Sequence, residues 1–217
     1  MRQIENTVSA ENQMINSSTV SFLGRADAPY RILIVGNSIT RHGPKEEIGW
    51  SGDWGMAASA PACDYVHRLY ETLSAAGREV FIRVRQASEW ELHFLEDDCL
   101  SRFSEDRAFG ADLVIFRLGE NVRREQFEQF GAATEKFVDY LANGHADVLL
   151  TTVFWPQEVQ DRAIRALAAR RGFACAEIGC TEDDMMAFGL FEHKGVAAHP
   201  GDAGMAMIAS RIAEKLL

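Results

Sequence analysis

The chain has 217 residues, enough for one α/β domain with a substantial core and short for two. Hydrophobic residues make up 47% and charged residues 25%, the balance of a globular protein, and the formal net charge of -10 argues against a nucleic-acid partner, which calls for a basic face. No apolar run approaches the ~18 residues of a membrane span, and the polar start "MRQIENTVSAENQMINSS" lacks the apolar stretch of a signal peptide, so the expectation is a cytoplasmic protein with no membrane contact.

Residues 1–28 read as a polar tail in which "TVSFLG" (19–24) can add an edge strand; residues 29–217 read as one domain. "RILIVG" (31–36) is the first clear strand. A long loop follows, "RHGPKEEIGWSGDWGMAASA" (41–60), rich in glycine and carrying Trp50 and Trp54. "PACDYVHRLYETLSAAG" (61–77) has Val66, Leu69, Tyr70 and Leu73 on one helical face and ends in Gly77, a good helix stop. "EVFIRVR" (79–85) and "DLVIFRLG" (112–119) are strands, and 123–144 is a long helix striped by Phe127, Phe130, Phe137, Val138 and Leu141. "DVLLTTVFW" (147–155) is an apolar strand, 156–172 a helix opened by Pro and closed by Gly, "FACAEIG" (173–179) a last strand, and 202–217 a closing helix capped by Asp202. The four cysteines form no CxxC pair and have no histidines at zinc spacing, so they read as small packed thiols and no metal site is expected.

Strands separated by helices predict an α/β fold, a parallel sheet with helices on both faces. Such sheets bind ligands at the carboxyl ends of their strands. The residues to read for chemistry are therefore Gly36-Asn37-Ser38, Gln86-Ala87-Ser88, Gly119-Glu120-Asn121 and Phe154-Trp155-Pro156. A serine lifted out of the sheet on a tight turn can attack a carbonyl while nearby N–H groups bind the oxyanion. The amide of Asn121 can donate to such an oxyanion, and His199, on the "AAHPGD" loop before the last helix, can act as general base.

With these residues in this order, the chain resembles the SGNH (GDSL-like) hydrolases, esterases and lipases on a flavodoxin-like, three-layer α/β/α sandwich with a central parallel sheet of about five strands. Gly36-Asn37-Ser38 matches the family's first block, Gly119-Glu120-Asn121 the third, and His199-Pro200 the fifth. The resemblance spans residue 31 to the C-terminus. It implies that Ser38 is the nucleophile and His199 its base, that the Ser38 N–H, the turn at Gly119 and the Asn121 amide form the oxyanion hole, and that no cofactor is needed.

The chain departs from the family pattern twice. The second block has no glycine; "RQASEWE" (85–91) stands there, where the backbone N–H of Ala87 or Ser88 can serve instead. The Asp that usually precedes the histidine by three residues is Val196. Three explanations stand open: Glu192 or Asp184 supplies the acid, a backbone carbonyl holds the ring of a Ser–His dyad, or the chain is a non-catalytic, carbohydrate-binding relative. Trp50, Trp54, Trp90, Glu91 and Trp155 are candidate substrate contacts, and the expected substrate is a small acyl ester, acetyl-like, on a carbohydrate or similar alcohol. Arg41 and Arg117 lie near strand ends and read as surface ion-pair partners. A flavin or nucleotide binder would need a phosphate-cradling loop after the first strand, where Asn37, Ser38, Thr40 and a long aromatic loop stand instead.

Overall fold

A computed structural model describes residues 19–217; the polar segment 1–18 lies outside the described residues. Six strands form one mixed sheet: β1 (Val20–Gly24), β2 (Tyr30–Gly36), β3 (Val80–Gln86), β4 (Leu113–Arg117), β5 (Asp147–Thr151) and β6 (Ala174–Ala176), in the order β1-β3-β2-β4-β5-β6. Five strands pair in parallel. The sequence pattern points to about five, and the sixth is β1, which runs antiparallel to β3 along the sheet edge.

The parallel strands are apolar on both sides, and successive side chains sort to opposite faces. Ile32 and Ile34 of β2 enter one core with α1 (Tyr65–Ala75) and α7 (Asp202–Ala213). Leu33 and Val35 enter the other, with Trp90 of α2 (Ser88–His93), Phe103, and residues of α4 (Phe127–Ala142) and α5 (Glu158–Arg171). The remaining short helices are α3 (Ser104–Ala108) and α6 (Lys194–Ala197). Local signals explain the long helices. Asp64 caps α1 by accepting the His67 N–H at 2.8 Å. Gly172 closes α5 in the left-handed conformation. The cap of α7 differs from expectation: Gly201 is its N-cap, and the Asp202 carboxylate instead accepts the N–H and Oγ–H of Ser59 at 2.8 and 2.6 Å, tying the 41–60 loop to the last helix.

Register places the functional ends together. Gly36 is level with Gln86 on one side and with Arg117 on the other. The first parallel strand, β2, lies between β3 and β4, so the chain direction across the sheet reverses beside it. Open α/β sheets form their ligand crevice at such a reversal. No helix among the described residues is long and apolar enough to cross a membrane.

Candidate active site

The chain leaves β2 through a turn that only glycine allows at its first position. A Cβ at Gly36 would lie 1.8 Å from Thr40 Oγ1. The turn is held by the N–H groups of Thr40 and Arg41 on the Asn37 carbonyl, and by the Met56 N–H on the Ser38 carbonyl at 2.9 Å. Ser38 is thereby presented partly exposed at the strand end, with its Oγ 2.8 Å from His199 Nε2.

His199 Nδ1 lies 2.6 Å from the Gly195 carbonyl. A carbonyl only accepts, so Nδ1 carries the proton and Nε2 is free to accept from the serine hydroxyl. The ring is therefore held by backbone. Neither Glu192, which is exposed, nor Asp184 bonds it. The physical reason is α6: its single turn brings Gly195 O under the ring and buries Val196, 1% exposed, in the core at the position where an acid was sought. Burial lowers the His199 pKa to about 4, against the pull of the Gly195 carbonyl and with the help of the His42 and Arg117 charges. The imidazole is thus neutral and competent to accept a proton across the physiological range.

The opposite side of the turn is a buried polar cluster that the sequence reading did not foresee. Glu91 and Arg117 are fully buried. Glu91 Oε1 accepts the Gly119 N–H at 2.6 Å, the Asn121 N–H at 3.2 Å and Asn37 Nδ2 at 3.2 Å, while Oε2 accepts Asn121 Nδ2 at 2.6 Å. Arg117 pairs with Glu120 and donates to Asn37 Oδ1 at 2.6 Å. Glu120 also accepts Asn37 Nδ2 at 2.7 Å and the Phe154 N–H at 2.8 Å. Asn37 thus sits between two carboxylates as a donor and faces a guanidinium as an acceptor, a double role that an aspartate could not fill. Burial, then the Glu120 charge, raises the Glu91 pKa to about 7, against the donors that favour the carboxylate. The backbone at Gly119 has φ +141°, and a Cβ there would meet Val153 at 2.6 Å, so glycine is required where the turn passes the segment just beyond β5.

Several expectations are corrected by this geometry. The Ala87 N–H is taken by the Gly36 carbonyl at 2.6 Å, because β3 and β2 continue their pairing one residue past the strand end. Gly119 gives its N–H to Glu91, and Asn121 gives one side-chain N–H to the same carboxylate. Glu91 itself lies beneath the site, at 0% exposure, and contacts no solvent that a substrate could displace. Trp90, 1% exposed, stacks on Phe137 at 4.9 Å in the core. Trp50 and Trp54 are 1% and 2% exposed and pack edge-on at 5.7 Å; their indole N–H groups go to the His42 and Ala58 carbonyls, so they seal the loop rather than offer a platform. Arg41 is no surface charge either: it pairs with Asp53 at 2.6 Å, both side chains buried. Trp155 differs from the other three. It is half-buried, its indole donates to the Ala198 carbonyl, and its ring stands perpendicular to the His199 imidazole at 5.4 Å.

Sequence reasoning had marked Asn37 and Glu120 as strand-end residues, Arg117 as an ion-pair partner and a backbone carbonyl as one possible holder of the ring; what it missed is that Glu91, Glu120, Arg117 and Asn37 interlock beneath the site and that the carbonyl is that of Gly195. One signal was present: a charged Arg117 inside the apolar run "DLVIFRLG" demands a buried counter-charge.

No family model matches the sequence, and comparison with curated proteins finds no match. Solved structures do resemble the fold. A protein from Slackia heliotrinireducens assigned as an SGNH hydrolase superposes with a TM-score of 0.55 at 16% identity, over 87% of this chain and 99% of that one. TesA gives 0.53 at 16% identity, over 86% and 97%. A two-domain esterase active on acetylated mannans gives 0.52 at 20% identity, over 86% of this chain and 49% of its own. These likenesses show the fold: the chain has the fold of the SGNH (GDSL-like) hydrolases.

Proposed function

We propose that this protein is a serine ester hydrolase that works through a Ser38–His199 dyad. The observation that carries the reading is the 2.8 Å contact between Ser38 Oγ and His199 Nε2 at the crevice end of the sheet. In the first half-reaction Ser38 Oγ attacks the ester carbonyl, its proton passes to Nε2, and the tetrahedral oxyanion is met by the Ser38 N–H and the second N–H of the Asn121 amide. Collapse expels the alcohol, which takes the proton from His199. Water then enters, gives its proton to Nε2 and attacks the acyl-serine; the acid leaves as Nε2 returns that proton to Ser38 Oγ.

No carboxylate stabilises the imidazolium in this scheme. In serine proteases, replacing the acid costs roughly 10⁴ in turnover. The Gly195 carbonyl supplies the orienting part of that role without the charge. A small acyl group such as acetyl, on a carbohydrate or similar alcohol, is the substrate we favour; the mannan-active esterase of the same fold and the position of Trp155 against His199 support it.

A second reading is favoured by one specific observation: Glu91 and Gly36 already occupy the N–H groups of Gly119 and Ala87. A chain so depleted of oxyanion donors would bind a carbohydrate without turning it over. Hydrolysis of p-nitrophenyl acetate and butyrate by wild type and Ser38→Ala, with labelling by a fluorophosphonate probe, separates the two. Turnover and labelling that vanish in Ser38→Ala establish the hydrolase; absence of both in wild type leaves the binding protein.

A further inference from the structure

Among the predicted oxyanion donors, Asn121 stands apart because its residue is exposed while its side-chain amide is bonded to a group at 0% exposure. An exposed asparagine on a turn is ordinarily free to change rotamer. Here one Nδ2 hydrogen is held by Glu91 Oε2 at 2.6 Å, a charge-assisted length, and the other is left over. Glu91 in turn has no freedom. Its Oε1 takes three donors from two separate turns, Asn37 after β2 and Gly119 and Asn121 after β4, and its neighbour Trp90 is stacked into the core. A rigid path therefore runs from the packed face of α2 to the exposed Asn121 on the turn after β4.

We propose that Glu91 is a positioning residue of this site: its carboxylate holds the Asn121 side-chain amide, and the turn that carries it, in the orientation that stabilises the oxyanion formed at Ser38. The inference rests on the ester-hydrolase reading above and adds to it a role for a residue beneath the catalytic surface. It also gives the depleted donor set a purpose. Glu91 uses the Gly119 N–H and both Asn121 N–H types as anchors, so that the one remaining amide hydrogen is aimed rather than averaged.

Glu91→Gln tests this selectively. Three donors converge on the Oε1 position, so the carboxamide oxygen takes that place and its NH₂ faces Asn121 Nδ2, donor against donor. The backbone turn keeps its bonds; only the Asn121 side chain is released. The experiment measures kcat and KM on p-nitrophenyl acetate for wild type, Glu91→Gln, Asn121→Ala and the double variant. Because an oxyanion contact exists only in the transition state, kcat should fall by about 10-fold or more with KM nearly unchanged. The double variant should be no slower than Asn121→Ala alone. An unchanged kcat, or losses that multiply in the double variant, overturns the proposal. Nitrogen relaxation of the wild-type Asn121 side-chain amide decides it without turnover, and without the variant's folding. A held amide approaches the rigid limit of about 0.85 in order parameter, and one below about 0.6 overturns the proposal. If wild type neither hydrolyses esters nor labels, the ester-hydrolase reading fails, while the relaxation result still decides whether Glu91 holds Asn121.

Discussion

On the Ser38 side of the site, two side-chain hydrogen bonds do the positioning: Ser38 to His199, and His199 to the Gly195 carbonyl. On the Asn121 side, two carboxylates, one guanidinium and two asparagine amides interlock almost entirely out of solvent. The Ser38 side is light and joins residues 161 apart in sequence through partly buried groups. The other side is part of the core. It follows that a substitution on the first side reads out as chemistry, whereas one that unpairs a buried charge on the second reads out first as folding. Buried charges are costly to unpair, whereas a surface hydroxyl contributes little to stability.

The comparison can be broken most directly at Ser38. Ser38→Ala should lower ester hydrolysis by about 10⁴-fold or more, while urea denaturation shows a stability change within about 0.5 kcal/mol. A large loss of stability would mean that the Ser38 side is as deeply wired as the other.

Arg117→Met is the corresponding test of the second side. It leaves Glu120 and Glu91 buried with no cation, and should cost about 3–5 kcal/mol in urea denaturation. A shift below about 1 kcal/mol would show that the cluster relaxes into solvent and is no part of the core.

Asn37→Asp sharpens the point within one residue. It restores the acid of the G-D-S form of the motif but removes the donor that lies 2.7 Å from Glu120 and 3.2 Å from Glu91. The expected destabilisation is about 1–3 kcal/mol by the same measurement, with Ser38 itself untouched.

The smallest effect is in the pH dependence of stability, where the two sides pull in opposite directions. His199 has its pKa lowered to about 4 from 6.5, so between those values the unfolded chain binds more protons and stability rises with pH. Glu91 has its pKa raised to about 7 from 4.5, so in that window the folded chain binds more protons and stability falls as pH rises. From about pH 4.5 to 6.5 the two oppose each other. Thermal melts should therefore show a steeper climb of Tm with pH for Glu91→Gln than for wild type, and equal slopes would remove Glu91 from the balance.

Local pattern made the alternation of strands and helices legible, and position at strand and loop ends singled out Ser38, Asn121 and His199. The same logic misjudged Trp50, Trp54 and Trp90, since composition shows that an aromatic lies in a loop but not which carbonyl will take its indole N–H. It also counted Ala87 and Gly119 as free donors. Whether a backbone N–H is free depends on what lies opposite: the Gly36 carbonyl in one case, and a glutamate 28 residues away in the other.

The sequence by itself determined the periodicities that build a parallel sheet, the glycines that let the chain turn tightly at Gly36 and Gly119, and the presence of a serine, an asparagine and a histidine at the ends of elements. Those are properties of short stretches, governed by side-chain size and backbone freedom. Only the tertiary structure decided that the Gly195 carbonyl holds the His199 ring, that Glu91 is buried against Asn121, and that Arg117 and Glu120 pair beneath the site. These depend on the register of β2, β3 and β4 and on the single turn of α6. A long-range hydrogen bond has no local signature; its partners are set by which chain segments the core packs side by side.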